Sequence, residues 1–305
     1  MSGSGPDQNF NEVVSLDGEP DCGIRVDNVP IWMPGAAGVV LDGQILICGG
    51  AYTEKCFRYD KPANEWVEMS AVLPERRGNA ASVLMDGEWL LISGNLPGLD
   101  GGLNTSLAFD PNVEFFFEKQ LTFSRYAACA LPINATHVFF AGGSTDPYDD
   151  PSAETFLFNV ENGNVTPLPE MPRARSLLTC GLARGTDIVT FGGIDRNDPE
   201  AGKTSDIFSL ETMSWRSGPR LPGADDFPQQ REYMFYIASA SSVPYGDTFL
   251  VAGGSTPPQG QGGGDRHEIY EYDPENEVWV ERPEILRMQR SNFVLLDVSD
   301  DLIDC

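Results

Sequence analysis

"LDGQILICGGAYTEKCFRYDKPANEWVEMS", residues 41–70, packs several features into one stretch: an apolar run closed by two glycines, cysteines at 48 and 56, a Tyr-Asp pair and a tryptophan. Short apolar runs bounded by turn-forming residues read as β-strands. The same elements return in the same order along the chain. Gly-Gly closes an apolar run at "ILICGG" (45–50), "HVFFAGG" (137–143), "DIVTFGG" (187–193) and "TFLVAGG" (248–254), with a degenerate "WLLISGN" at 89–95. Counted from the second glycine, Gly50, Gly94, Gly143, Gly193 and Gly254 lie 44, 49, 50 and 61 residues apart.

After each glycine comes a loop of variable length and a second apolar run: "CFRYD" (56–60), "SLAFD" (106–110), "TFLFN" (155–159), "DIFSL" (206–210) and "EIYEYD" (268–273). A turn and a further strand follow, marked by Trp66, Phe116, Val165, Trp215 and Trp279. Upstream of the glycines sits another strand, as in "NAASVLM" (79–85), "YAACALP" (126–132) and "SLLTCGLA" (176–183). Each unit therefore predicts four short antiparallel strands and no helix. A period of about 45–50 residues built this way fits the blades of a β-propeller. The glycines allow positive φ and close approach of neighbouring blades, and the aromatic covers the blade beneath it.

In "ICGG", "FRYDKPANEW" and "AGG…IYEYDPENEVW" the chain resembles the kelch repeat family, within the propeller superfamily of galactose oxidase. The resemblance implies an all-β, six-bladed propeller of four-stranded antiparallel blades spanning 1–305 as one domain. Five units are complete, at 35–70, 77–120, 125–170, 175–220 and 231–282. The sixth is expected to be split, 10–34 pairing with 290–305, with "RSNFVLLDV" (290–298) as innermost strand, "NEVVSLD" (11–17) as third and "IRVDNVPIW" (24–32) as fourth. Closing the ring this way would leave no sheet edge open. The second strand of that blade, with any signal peptide, is expected upstream of residue 1. The second unit lacks one glycine of the pair and its tryptophan, and the third lacks Tyr-Asp and tryptophan, so both rest on position.

The net charge of −26, from 46 acidic and 20 basic residues, repels phosphate backbones and argues against nucleic acid. No apolar run approaches the ~18–20 residues that span a bilayer. Six cysteines permit three disulfides. Cys48 and Cys56 flank one hairpin, which places them within bridging reach. Cys129 and Cys180 occupy inner strands of consecutive units, and Cys22 is left to pair with Cys305 by elimination. Six free thiols in an intracellular propeller is the alternative. Sequons at Asn104, Asn134 and Asn164 favour a secreted glycoprotein. The positions of Cys48, Cys56 and Cys305 also resemble those of secreted invertebrate kelch proteins.

Chemistry is thin. The two histidines, His137 and His267, open a strand and end a Gly-rich loop, and no cluster has zinc spacing. The copper oxidases that resemble the chain at blade level need two histidines, two tyrosines and a cysteine, partly from a further domain that the residues given do not contain. The iron set of plant kelch specifier proteins is not matched, because Ile133 and Gly263 stand four before the histidines. Acidic loops such as "DPYDDPSAE" (146–154) lack EF-hand spacing. No catalytic residue, metal site or cofactor is expected.

One recurrence goes beyond turn geometry. Arg77, Arg125, Arg175, Arg231 and Arg290 precede the inner strands at intervals of 48, 50, 56 and 59. Equivalent positions converge on the axis of a propeller, so these guanidinium groups would ring one mouth of the channel and hold carboxylates or sulfates. Alternatively each bonds carbonyls or acids of the neighbouring blade and holds the ring together. The long loops at 144–154, 194–205 and 255–267 border the same face. The expectation is a non-enzymatic extracellular module binding a protein or an anionic glycan, with self-association into matrix or filament as the alternative.

Overall fold

The structure, a computed structural model, describes residues 11–16, 26–96, 101–146, 150–195, 197–198, 200–222, 238–256, 264–299 and 302. Five antiparallel sheets follow one another along the chain. The first holds β1 (Ala37–Leu41), β2 (Gln44–Cys48), β3 (Lys55–Asp60) and β4 (Glu65–Val72); the second β5 (Ala81–Met85), β6 (Glu88–Ile92), β7 (Thr105–Asp110) and β8 (Phe115–Gln120). The third holds β9 (Cys129–Pro132), β10 (His137–Ala141), β11 (Thr155–Asn159) and β12 (Val165–Leu168); the fourth β13 (Thr179–Ala183), β14 (Asp187–Phe191), β15 (Thr204–Ser209) and β16 (Ser214–Arg220). The fifth holds β17 (Ser241–Tyr245), β18 (Thr248–Ala252), a two-residue β19 (Ser255–Thr256), β20 (Gly264–Asp273) and β21 (Val278–Arg290). Among the described residues there is no α-helix, only a single 3₁₀ turn at Ala201–Lys203.

The sheets are the blades of a β-propeller. Their number corrects the expectation of six: five sheets form, and the described parts of the expected split blade, 11–16, 26–34 and 291–299, carry no strand. The ring nevertheless closes through backbone. The amides of Asn79, Ala127, Leu177, Ser239, Asn292 and Gly35 donate in turn to the carbonyls of Gly35, Asn79, Ala127, Leu177, Ser239 and Asn292, at 2.8–3.0 Å. All six residues sit at φ between 50° and 68°. Left-handed backbone costs an L-residue roughly 1–2 kcal/mol, a strain that the repeated circumferential bond offsets at each step.

The core lies between blades. Each of its clusters joins two neighbours, as where Leu91, Phe109 and Phe116 of the second blade meet Leu46, Cys48 and Leu73 of the first. The fourth-strand marker always stands opposite an aromatic of the third: Trp66 against Tyr59, Phe116 against Phe109, Val165 against Phe158, Trp215 against Phe208, Trp279 against Tyr272. Indole N–H groups also reach back one sector, from Trp66 to the Asp27 carbonyl at 2.8 Å and from Trp215 to the Pro169 carbonyl at 2.9 Å.

Two disulfides are present. Cys48 and Cys56 face one another across β2 and β3, and Cys129 joins β9 to Cys180 on β13, stapling the third blade to the fourth. Cys22 and Cys305 lie outside the described residues.

Candidate functional site

The recurring arginines explain the recurring glycines. The second glycine of one blade donates its amide to the carbonyl of the arginine that opens the next: Gly50 to Arg77, Gly94 to Arg125, Gly143 to Arg175 and Gly254 to Arg290, at 2.9–3.1 Å. These glycines have φ of 81–108°. A side chain would not fit there either, since a Cβ at Gly143 would lie 2.6 Å from the Tyr126 carbonyl. The arginine carbonyl thus faces the preceding blade while its side chain turns into its own.

Arg77 donates to the carbonyls of Ser93 and Thr105 and to the Thr105 hydroxyl. Arg175 donates to the carbonyls of Gly192 and Thr204 and pairs with Asp206 at 2.5 Å, both side chains fully buried. Arg125 pairs with Glu154, and Arg290 with Glu12 at 2.5 Å. Burial pushes Arg77 down to about 10, and it lowers Arg175 and Arg290 in the same direction. It raises Asp206 above the usual aspartate range, outweighing the opposing pull of Arg175.

These positions correct the picture of a cationic funnel at the channel mouth. Arg77, Arg125 and Arg175 are 0–6 % exposed, and their guanidinium groups are committed to carbonyls and carboxylates of their own blades. Arg231 lies outside the described residues. Its register also differs: Arg77, Arg125, Arg175 and Arg290 stand two residues before a ring residue, whereas Arg231 stands eight before Ser239. A buried apolar residue four positions ahead of each true arginine, Leu73, Leu121, Met171 and Leu286, would have exposed this. The matching residue before the fifth blade is Leu221, followed by an insertion.

With the arginines turned inward, the loops after the glycine pairs carry the opposite charge. The described residues of 144–154 and 194–203 include Asp146, Asp150, Glu154, Asp195, Asp198 and Glu200 against one lysine, Lys203. They rise from the third and fourth blades, the pair joined by Cys129–Cys180. Arg220 and Lys203 bond Glu200 and hold its carboxyl below the usual range. Among the described residues no group of histidine, cysteine and carboxylate side chains is arranged to hold a metal. His137 is engaged with Thr136 and Asn134 at the foot of β10. The sequon residues Asn104, Asn134 and Asn164 are all exposed.

Sequence reasoning missed a second feature, on the outer wall. Phe115 and Phe117 on β8 stack edge-to-face at 5.1 Å while 56 % and 51 % exposed, next to Val113 at 62 %. Their intervening neighbour Phe116 faces the first blade, so they face the third. There the fourth strand offers Val165 in place of tryptophan, which leaves the pair uncovered.

No family model and no curated protein matches the chain. Among solved structures, 451 chains are similar, and one titled "Structure of YjhT" aligns with a TM-score of 0.66 over 85 % of this chain and 86 % of its own, at 13 % identity. That likeness establishes the propeller fold. No described helix is long and apolar enough to cross a membrane.

Proposed function

We propose that the protein is a non-enzymatic extracellular interaction module of kelch type, in which the loop face of the third and fourth blades recognises a basic segment of a protein partner. The observation that carries this reading is the excess of carboxylates on the loops 144–154 and 194–203, seven against Arg196 and Lys203, on a disulfide-stapled blade pair; three of the seven, Glu154, Asp198 and Glu200, pair with Arg125, Arg173 and Arg220. Loops on a rigid scaffold commonly carry binding function, and a rim of one charge steers ligands of the other. Disulfides persist in oxidising compartments, and three exposed sequons fit the same location. An anionic glycan held by the arginines is disfavoured, because Arg77, Arg125 and Arg175 are buried inside the blades.

Immobilised protein titrated with a Lys/Arg-rich peptide and, separately, with heparin tests the reading. Binding of the peptide that weakens with salt and is lost in Asp146→Asn/Asp150→Asn/Asp195→Asn supports it. Heparin binding that disappears in Arg125→Gln would overturn it and restore the arginine-lined face. A second reading, self-association, draws support from the exposed Phe115–Phe117 pair, since uncovered aromatic patches mark contact surfaces.

A further inference from the structure

Each blade ends in an outer strand whose far edge pairs with no further described strand: β4, β8, β12, β16 and β21. A flat edge of this kind recruits other strands unless something blocks it. Four of the five edges carry a block. β4, β16 and β21 each lose register against their neighbour at a bulge, between Lys55 and Phe57, Thr204 and Asp206, and Glu268 and Tyr270, and a bulge turns an edge away from a partner. β12 keeps its register but contains Pro167. β8 has neither device: Thr105–Asp110 meets Phe115–Gln120 in six unbroken pairs, and its sequence, FFFEKQ, holds no proline.

One bond fixes which backbone groups of β8 face outward. The Leu121 amide donates to the Asn104 carbonyl at 2.7 Å, one step beyond the Thr105–Gln120 pair. Antiparallel pairs alternate between bonded and non-bonded, so the backbone of Phe115, Phe117 and Lys119 turns to β7 while that of Phe116, Glu118 and Gln120 turns out. In β12 the Asn159 amide donates to the Asn164 carbonyl at 2.9 Å, which by the same alternation turns Val165 and Pro167 out. Pro167 therefore deletes an outward donor. Phe116 and Val165 hold equivalent places, opposite Phe109 and Phe158, so Glu118 stands where the third blade has its proline. The second blade keeps the donor that the third has lost. Around it Phe115 and Phe117 are exposed, as are Glu118, Lys119 and Gln120.

We infer that β8 pairs antiparallel with β8 of a second copy of this chain, about a two-fold axis through Phe117, joining two four-stranded sheets into one. The inference rests on the self-association reading and is independent of the acidic loop face. A two-fold pairing must be centred on a residue to keep the side chains of both strands on matching faces. Centring on Phe117 sets Phe116 opposite Glu118 of the second copy, and Glu118 opposite its Phe116, the residues whose backbone groups turn out. The two Phe117 side chains then meet in the closer, non-bonded kind of pair, with Phe115 opposite Lys119 of the second copy. Centring on Phe116, Glu118 or Lys119 sets like charges face to face, Glu114 on Glu118 in the first case. Because the pairing consumes the open edge of both copies, assembly closes at two.

Sedimentation equilibrium of the full chain over a dilution series tests the pairing. Wild type should approach twice the chain mass and no more, and more completely as salt screens the charge of −26 on each copy. That salt response is opposite to the one expected for a basic peptide at the acidic loops. Glu118→Pro copies the device of the third blade and leaves the bonds to β7 in place, so it should lose the dimer while circular dichroism stays unchanged. Should it misfold, Phe117→Lys and Phe117→Glu take its place: each alone should stay monomeric, and an equimolar mixture of the two should dimerise. Wild type that stays monomeric at every concentration and salt would overturn self-association and this pairing together. A dimer that survives Glu118→Pro, a mixture of the Phe117 variants that stays monomeric, or growth beyond two copies would overturn the β8 pairing alone.

Discussion

The amide of Gly143 donates to the carbonyl of Arg175 in the next blade at 2.9 Å, while the guanidinium of Arg175 turns the other way to meet Asp206 at 2.5 Å. One residue therefore fastens two blades, its backbone to the one before and its side chain within its own. The glycine and the arginine are two halves of one joint, repeated around the ring.

The buried charge pair gives the sharpest stability prediction. Arg175→Met leaves the Asp206 carboxyl buried without its partner and should cost about 3–5 kcal/mol, whereas Arg175→Met/Asp206→Leu together should cost far less. Urea unfolding of the two variants measures this, and equal losses for single and double variants would mean that the pair is not coupled.

The pH dependence of that site follows from burial. Asp206 has its folded pKa raised, so its contribution is fully present below the unfolded value and is lost as pH rises through the raised one. The stability gap between wild type and Asp206→Asn should widen as pH falls from 7 toward 4. A narrowing gap would mean that Arg175 dominates and holds the carboxyl low.

Glycines separate two causes of strain. Gly143→Ala places a methyl group against the Tyr126 carbonyl and the Ala128 side chain, whereas Gly163→Ala meets nothing within 4 Å at a similar φ of 77°. Alanine at 163 should cost only the left-handed penalty of roughly 1–2 kcal/mol, and alanine at 143 clearly more. Comparable melting temperatures for the two variants would contradict the close-approach role.

The disulfides should differ in weight. Cys129–Cys180 closes a separation of 51 residues and Cys48–Cys56 one of 8. On chain entropy alone the first stabilises by about 4 kcal/mol and the second by about 2.5 kcal/mol. Double serine variants of each, compared by thermal unfolding, should rank in that order.

Strand positions were legible in the sequence because Gly-Gly and the fourth-strand aromatic each mark a fixed point in four of the five blades, with Ser93-Gly94 and Val165 standing in at the exceptions. Cys48 and Cys56 were legible too, being near neighbours across a hairpin. The direction of the arginines was not, since a repeat fixes where a residue stands but not which way its side chain turns. Arg231 misled because the insertion after Leu221 broke the Leu-to-Arg interval that holds at Leu73–Arg77 and Leu286–Arg290. The sixth blade was read from apolar segments at both ends, which do occupy that sector but find no second strand among the described residues to pair into a sheet. The Phe115–Phe117 pair was invisible because its exposure depends on Val165, which lies in another blade.

The closed ring is the claim on which the rest stands, and hydrogen exchange of its six amides tests it most directly. Gly35, Asn79, Ala127, Leu177, Ser239 and Asn292 should exchange together and only through global unfolding, as members of one cooperative unit. Gly35 and Asn292 exchanging orders of magnitude faster than the other four would show that the ring is open at the sixth sector.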